Sequence, residues 1–166
     1  MSIYDIEVTQ SNGTSYPLSN LKGRVLLIVN TASQCRFTPQ YQALEKLHQK
    51  YAAKGLTILA FPCNQFAHQE PDTDDKIESF CQLNHGVSFE LHKKIKVNGA
   101  ESSKLYQYLK SQAKGILGTE SIKWNFTKFI VNSDASHIER FAPSVDPMKL
   151  EGQIQDYLSI IQGEDA

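Results

Sequence analysis

A cysteine stands between an apolar run and a helical pattern in the stretch VNTASQCRFTPQY, residues 29–41. In open α/β sheets, ligands bind at the carboxyl ends of the strands, and Cys35 follows a predicted strand. The unpaired amides and the positive dipole end of the following helix favour a thiolate there. Free cysteines are also commonly buried as small core residues. The position of Cys35 alone therefore leaves packing and nucleophilic chemistry both open.

Neutral hydrogen-bond donors occur in two other stretches. The loop sequence FPCNQFAHQEP contains the amides Asn64, Gln65 and Gln69, and IKWNFTKF contains the only tryptophan, Trp124, beside Asn125. Amide and indole N–H groups can stabilise a thiolate or a developing oxyanion. Such residues also commonly tie down loop backbone or fill a core, so neither stretch by itself establishes a catalytic site.

Two further cysteines have less exposed predicted positions. Cys63 lies at the end of the second apolar run and is interpreted as a packing residue. Cys81 falls on a predicted helix, four residues after Ile77 and on the same face, which is typical of a buried core thiol. It could instead condense with an oxidised Cys35. Because the Cα atoms of a disulfide lie within about 7 Å, that reaction would require the helix to unwind.

Composition excludes several classes of protein. The 166 residues carry a net charge of −1, so nothing indicates a nucleic-acid partner. Three cysteines and five histidines without ligand spacing predict neither a disulfide framework nor a metal site, and no phosphate-binding motif indicates a cofactor. The run VLLIVN is too short to span a membrane. The N-terminus lacks the features of a secretory signal, so we expect a cytoplasmic protein.

The predicted elements form one α/β domain over residues 1–166. Asn12-Gly13 predicts an N-terminal β-hairpin. The continuously apolar runs GRVLLIVN and LTILAF predict buried parallel strands joined by a helix that opens at Thr38-Pro39, with Pro39 in the first helical position. KFIVN and IERF predict an antiparallel strand pair, and the remaining helices are DTDDKIESFCQLN, ESSKLYQYLKSQ and DPMKLEGQIQDYLSIIQ. This order predicts a central mixed sheet flanked by helices.

Three stretches in the same order, VNTASQCRFTPQY, LAFPCNQFAHQEP and IKWNFTKF, resemble the glutathione peroxidase family. The resemblance covers nearly the whole chain and implies a thioredoxin-like fold. It places Cys35 where the family has its peroxidatic residue. Gln69, Trp124 and Asn125 match the other members of the catalytic tetrad, and Cys81 matches the resolving cysteine of many non-selenium members.

The resemblance implies a peroxidase in which Cys35 is oxidised to a sulfenic acid, Cys81 forms a disulfide with it, and thioredoxin reduces that disulfide. The alternatives are a glutathione-dependent enzyme with a structural Cys81, a peroxide sensor that passes oxidation to a partner protein, and an inactive binding module. The short segment between Leu109 and Lys123 implies a monomer. Two positions depart from the family pattern, because Arg36 and Ala67 stand where glycine is usual.

Overall fold

A four-stranded mixed sheet forms the centre of the computed structural model, which describes residues 2–164. Its strands are β3 (Val25–Thr31), β4 (Leu56–Pro62), β5 (Lys128–Val131) and β6 (Ile138–Phe141), in the order β4-β3-β5-β6. β3 pairs parallel with β4 and antiparallel with β5, and β5 pairs antiparallel with β6. The parallel pair and the final antiparallel pair are both as predicted. Within the described residues, no helix is long and apolar enough to cross a membrane.

The two faces of β3 contact different helices. Val25, Leu27 and Val29 belong to the apolar cluster that contains the buried residues of α1 (Gln40–Tyr51) and α2 (Asp74–His85). The alternate residues Leu26 and Ile28 belong to a second cluster on the opposite face. Because successive side chains of a strand point to opposite faces, a strand covered on both sides is apolar at every position.

Two further helices complete the layers. α3 (Lys104–Gln112) packs in the same cluster as Leu26 and Ile28, and α4 (Glu151–Glu164) packs on the side of α1 and α2. The N-terminal hairpin consists of β1 (Glu7–Thr9) and β2 (Ser15–Pro17), which pair antiparallel around the predicted Asn-Gly turn. The predicted α/β class, with a mixed sheet, flanking helices and a hairpin, is confirmed.

Two helices begin at residues other than those predicted, because of the local backbone geometry at their N-termini. α1 begins at Gln40, and Pro39 is its N-cap rather than its first residue, although the dihedrals of Pro39 are already helical. The last predicted helix begins with a separate 3-10 turn, Pro147–Leu150, in which the Asp146 carboxylate accepts a hydrogen bond from the Met148 amide. α4 follows directly, so neither difference changes the layer arrangement.

Candidate active site

The site lies where β3 and β4 end side by side. Thr31 and Pro62, the last residues of these parallel strands, are register partners. Both strands therefore deliver their following loops to one edge of the sheet, as the sequence predicted. A backbone hydrogen bond from the Gln34 N–H to the Gln69 carbonyl, 3.0 Å long, joins the two loops beside Cys35.

Cys35 is held in a tight loop with its sulfur almost covered. The residue is 6% exposed. Its amide donates to the Thr38 hydroxyl at 2.9 Å, and that hydroxyl donates to the Ala32 carbonyl at 2.8 Å. This folding turns the Phe37 N–H toward Cys35 Sγ at a distance of 3.3 Å. A backbone donor aimed at sulfur stabilises negative charge on it, which is the environment that a nucleophilic thiolate needs.

Gln69 and Asn125 meet through their side-chain amides. Asn125 is fully buried, and its Nδ2 donates to Gln69 Oε1 at 2.9 Å. This bond occupies the Gln69 oxygen, so the Gln69 amino group is the part that remains to donate into the cleft. The two residues come from separate stretches of sequence, and the fold brings them together.

Trp124 lies against the same cleft, and its backbone is fixed to the end of β3. Its carbonyl accepts hydrogen bonds from Asn30 Nδ2 at 3.1 Å and from the Thr127 hydroxyl at 3.0 Å. The Phe126 N–H donates to the Asn30 carbonyl at 2.7 Å, and the indole packs on Phe66 with ring centroids 5.7 Å apart. These contacts set the position of the indole beside Gln69.

An open cleft of about 560 Å³ adjoins these residues. Gln69 and Trp124 line it, Asn125 stands behind Gln69, and Cys35 lies in the loop whose next two residues form another wall. The structure therefore brings four of the five predicted site residues together. The residues that line the cleft are Arg36, Phe37, Gln69, Trp124, Pro143 and Ser144.

The wall made by Pro143 and Ser144 was not predicted, and a buried lysine holds it in place. Lys128 is fully buried, and its Nζ donates to the Pro143 carbonyl at 3.0 Å and to Gln40 Oε1 at 2.8 Å. Burial lowers the pKa of Lys128 to about 7. A lysine inside the otherwise apolar strand KFIV is the sequence signal that could have indicated this role.

Cys81 lies outside the cleft, on the buried face of α2. Its side chain is fully buried in the same apolar cluster as Cys35, and burial raises its pKa to about 11. Cys63 is also fully buried but belongs to the cluster on the opposite face of the sheet. All three cysteines are free thiols. Only Cys81 shares the side of the sheet on which Cys35 lies.

Arg36 and Ala67, which stand where the resemblance predicts glycine, have different structural consequences. Arg36 is exposed at the cleft mouth, with its guanidinium 4.8 Å from the centre of the Phe37 ring. Ala67 has φ +53° and the next residue, His68, has φ +52°. Glycine adopts this left-handed conformation without steric cost, whereas alanine does not. This backbone favours the glycine that the resemblance leads us to expect at position 67, and this chain adopts it with alanine.

Known proteins resemble this chain over almost its full length. The family profile described as "Glutathione peroxidase" matches residues 3–110. "Glutathione peroxidase-like peroxiredoxin 2" of Saccharomyces cerevisiae is 52% identical over 158 residues, which cover 95% of this chain and 98% of the yeast protein. The crystal structure of "T. cruzi GPX1" is 36% identical with a TM-score of 0.78, and the match covers 96% of this chain and 97% of that one.

The fold is shared more widely than the sequence. A "thiol:disulfide interchange protein, thioredoxin family protein" from Chlorobium tepidum is 12% identical and has a TM-score of 0.64, and the match covers 95% of this chain and 96% of that chain. A likeness at this identity shows the fold alone. The predicted thioredoxin-like fold is confirmed.

Proposed function

The chain belongs to the glutathione peroxidase family and is a peroxidase, and we propose that its nucleophile is the Cys35 thiolate. The observation that carries this proposal is the placement of the sulfur. Cys35 Sγ accepts the Phe37 N–H in a loop beneath a cleft that Gln69 lines. Of the three cysteines, only Cys35 directly precedes residues of the cleft wall, Arg36 and Phe37.

In the first step, the thiolate attacks the terminal oxygen of a peroxide. The S–O bond forms as the O–O bond breaks, and the sulfur becomes a sulfenic acid. The leaving oxygen takes a proton and departs as water or as an alcohol. Because negative charge moves from sulfur to the leaving oxygen, a donor at the sulfur maintains the reactive thiolate and a donor at the leaving oxygen stabilises the transition state.

Gln69 and Trp124 supply donors that carry no net charge. The Gln69 amino group and the indole N–H both belong to residues that line the cleft. Asn125 acts through Gln69, because its hydrogen bond to the Gln69 oxygen fixes which end of that amide is left to donate. Donors held in place before the reaction need no reorganisation when charge develops.

The cleft suits organic hydroperoxides as well as hydrogen peroxide. Its walls include the side chains of Phe37, Trp124 and Pro143, which offer apolar surface to an alkyl group. The cleft volume of about 560 Å³ exceeds what hydrogen peroxide needs. Substrate preference is therefore expected to be broad.

Cys81 is the proposed resolving residue. The small number of buried residues in its helix, α2, supports that proposal. Only Ile77 and Cys81 are buried among the residues of α2. A helix with so little buried surface opens locally at low cost. Local opening would carry Cys81 to the sulfenic acid of Cys35, and thioredoxin would reduce the resulting disulfide by thiol exchange. The similar yeast protein carries the name of a peroxiredoxin.

The alternative reductant is glutathione, and one observation favours it. Arg36 is exposed at the cleft mouth, where a cation could bind a carboxylate of the tripeptide. In that case Cys81 would be a core residue only. A sensor that passes oxidation to a partner protein would use the same cysteines but would turn over slowly with both small reductant systems.

Coupled assays distinguish these functions. NADPH consumption is measured with peroxide in the thioredoxin system and, separately, in the glutathione system, for wild type, Cys35→Ser and Cys81→Ser. We expect wild-type turnover with thioredoxin, its loss in both variants, and one peroxide consumed per chain by Cys81→Ser. Full thioredoxin-driven cycling by Cys81→Ser would exclude the two-cysteine mechanism, and activity in Cys35→Ser would exclude the nucleophile.

A further inference from the structure

A buried carboxyl group lies next to the active-site loops. Glu70 is fully buried, and it is the only acidic residue that is buried among the side chains described, residues 2–161. Its Oε1 accepts the Ser33 hydroxyl at 2.6 Å, but its Oε2 has no hydrogen-bond partner among the described residues. Leaving a buried carboxyl oxygen unpaired is costly, so such a group calls for an explanation.

Hydrogen bonds connect Glu70 to the loop that carries Cys35. Ser33 precedes Cys35 by two residues, and the Glu70 N–H donates to Asn64 Oδ1 at 3.0 Å. The neighbouring Gln69 carbonyl accepts the Gln34 amide. These bonds attach Glu70 to the loop edge of the sheet rather than to α2, so Glu70 stays beside Cys35 when α2 opens.

The charge of Glu70 also acts on a small buried polar group on the same side of the sheet. The Tyr41 hydroxyl lies beside the Thr31 hydroxyl and the Cys81 thiol, although neither hydroxyl completes a hydrogen bond of ordinary geometry. The charge of Glu70 acts on both Tyr41 and Cys81 and contributes to raising the pKa of each, with burial as the larger cause. Glu70 is therefore bonded to the Cys35 loop and close enough to the thiol that is proposed to resolve it for its charge to act on that thiol.

For Cys81 to resolve the sulfenic acid, it must lose a proton and the departing hydroxyl must gain one. The described residues that line the cleft supply no group for this transfer. Burial raises the pKa of Cys81 to about 11. A thiol with that pKa is ionised in roughly one molecule in 10⁴ at pH 7, and only the thiolate attacks sulfur. The sulfenic hydroxyl of Cys35 must also gain a proton before it can depart as water.

We propose that Glu70 takes the proton from Cys81 and returns it to the departing hydroxyl, an inference that rests on the proposed function of Cys81. While α2 is still packed, the S–H proton moves to Glu70 Oε2; α2 then opens, Glu70 stays with the Cys35 loop, and the Cys81 thiolate attacks Cys35 Sγ. The S–S bond forms, the S–O bond breaks, and the hydroxyl leaves as water with the proton held by Glu70. Cys35 sulfur is reduced and Cys81 sulfur is oxidised by the same amount, and no other reactant is consumed.

The surroundings of Glu70 suit a group that accepts and returns a proton near neutral pH. Burial raises its pKa to about 7, and the nearby Asp72 acts in the same direction. The hydrogen bond from Ser33 and the charge of Lys94 act in the opposite direction. Tyr41 and Cys81 also feel the charge of Glu70, and the loop to which Ser33 attaches it carries the Cys35 thiol. A base with a pKa near the working pH is the most effective proton-transfer group.

The test follows disulfide formation directly after one equivalent of hydrogen peroxide is added to the reduced full chain. Samples are quenched with acid at set times, and mass spectrometry counts sulfenic acid and intramolecular disulfide. The Glu70→Gln variant keeps an oxygen for Ser33 but removes the base, and we expect disulfide formation at pH 7 to slow by about 100-fold. The wild-type rate should rise to a plateau as pH passes about 7. The rate of Glu70→Gln should continue to rise toward alkaline pH.

Glu78→Gln is the matched control. Glu78 lies on α2, its charge also acts on Cys81, and its Oε2 accepts the Ser11 hydroxyl at 3.0 Å. It lies outside the Glu70 polar group, so its replacement should leave the rate within about threefold, as for an ordinary surface substitution. A Glu70→Gln variant that forms the disulfide at the wild-type rate with the wild-type pH profile would overturn the inference.

Two further variants keep the result interpretable. If Glu70→Gln does not fold, Glu70→Asp retains a carboxylate and should keep the plateau near neutral pH with a lower rate, and loss of that plateau would overturn the inference. Cys81→Ser tests the underlying function separately. If it still forms an intramolecular disulfide, Cys81 is not the resolving residue, whatever the Glu70 variants show.

Discussion

Two thiols on the same side of one sheet have opposite surroundings. Cys35 lies in an irregular loop beneath an open cleft and receives a backbone N–H, whereas Cys81 is fully buried on a helix, where burial raises its pKa. The loop directs the Phe37 amide to the Cys35 sulfur, which stabilises a thiolate, whereas the helix uses its amides internally. On the proposed function, local backbone structure, rather than the residue type, determines which cysteine attacks a peroxide. Cys63, on the opposite face, provides an internal control.

The largest expected effect comes from the cysteine of the loop. Cys35→Ser should lower peroxide reduction by a factor on the order of 10³ or more, because the nucleophile of a catalytic unit is lost. Cys63→Ser should leave the rate within about twofold, since the Cys63 sulfur donates to Gln65 away from the cleft and a hydroxyl can do the same. Peroxide consumption measured in one assay compares them. Equal losses in the two variants would contradict the comparison.

The next effect concerns the donors around the reactive thiol. Asn125→Ala removes the hydrogen bond that orients Gln69, and oxidation of Cys35 should slow by about 100-fold. Gln65→Ala is the control, because the Gln65 side chain lies in the same loop but its oxygen accepts the amides of Val97 and the next residue. Stopped-flow measurement of the first oxidation gives both rates. A similar loss in Gln65→Ala would mean that loop stability, not donor placement, is responsible.

Thiol labelling tests the protection of the helical cysteine. In the reduced protein, an alkylating reagent should modify Cys81 about 100-fold more slowly than Cys35, because reaction requires local opening of α2. Ile77→Ala removes the other buried anchor of α2 and should speed labelling of Cys81 but not of Cys63. Peptide mass spectrometry separates the three sites. Equal acceleration at Cys63 would indicate global unfolding instead.

The smallest effect concerns the strained loop next to Gln69. Ala67→Gly should raise the free energy of unfolding by about 0.5–1 kcal/mol, since relief of the left-handed conformation exceeds the added entropy of the unfolded chain. Ala52→Gly is the opposite case, because Ala52 has φ −57° at the end of α1, and we expect it to lose up to about 1 kcal/mol. Urea denaturation measures both. A destabilised Ala67→Gly would contradict the account of this loop.

The layer arrangement could be predicted because its determinants are local. Continuous apolar runs predict buried strands, and the Asn-Gly turn predicts the hairpin, so β3, β4 and the β1-β2 pair followed directly from the sequence. The tetrad could not be derived in this way. Gln69 and Asn125 are distant in sequence, and nothing local indicates that their amides meet, so their pairing depended on family resemblance until the fold placed them together.

Other parts of the site could be predicted only in part from local signals. Lys128 in the strand KFIV indicates a buried amine, but Pro143 and Ser144 carry no distinctive chemistry, and only the fold shows that this amine holds them at the cleft. The unpaired oxygen of Glu70 is visible only when its neighbours are known. Buried polar groups are defined by contacts that form between distant segments, which explains why the sequence pattern of each segment alone does not reveal them.

The most direct test of the two-thiol account is the disulfide that forms after oxidation. The reduced protein is treated with one equivalent of hydrogen peroxide, blocked at its free thiols, digested without reduction and analysed by mass spectrometry. The account predicts a peptide pair joined through Cys35 and Cys81, with Cys63 recovered as a free, blocked thiol. A chain in which Cys35 is oxidised while Cys81 remains a free thiol, or in which Cys35 is joined to Cys63, would contradict it.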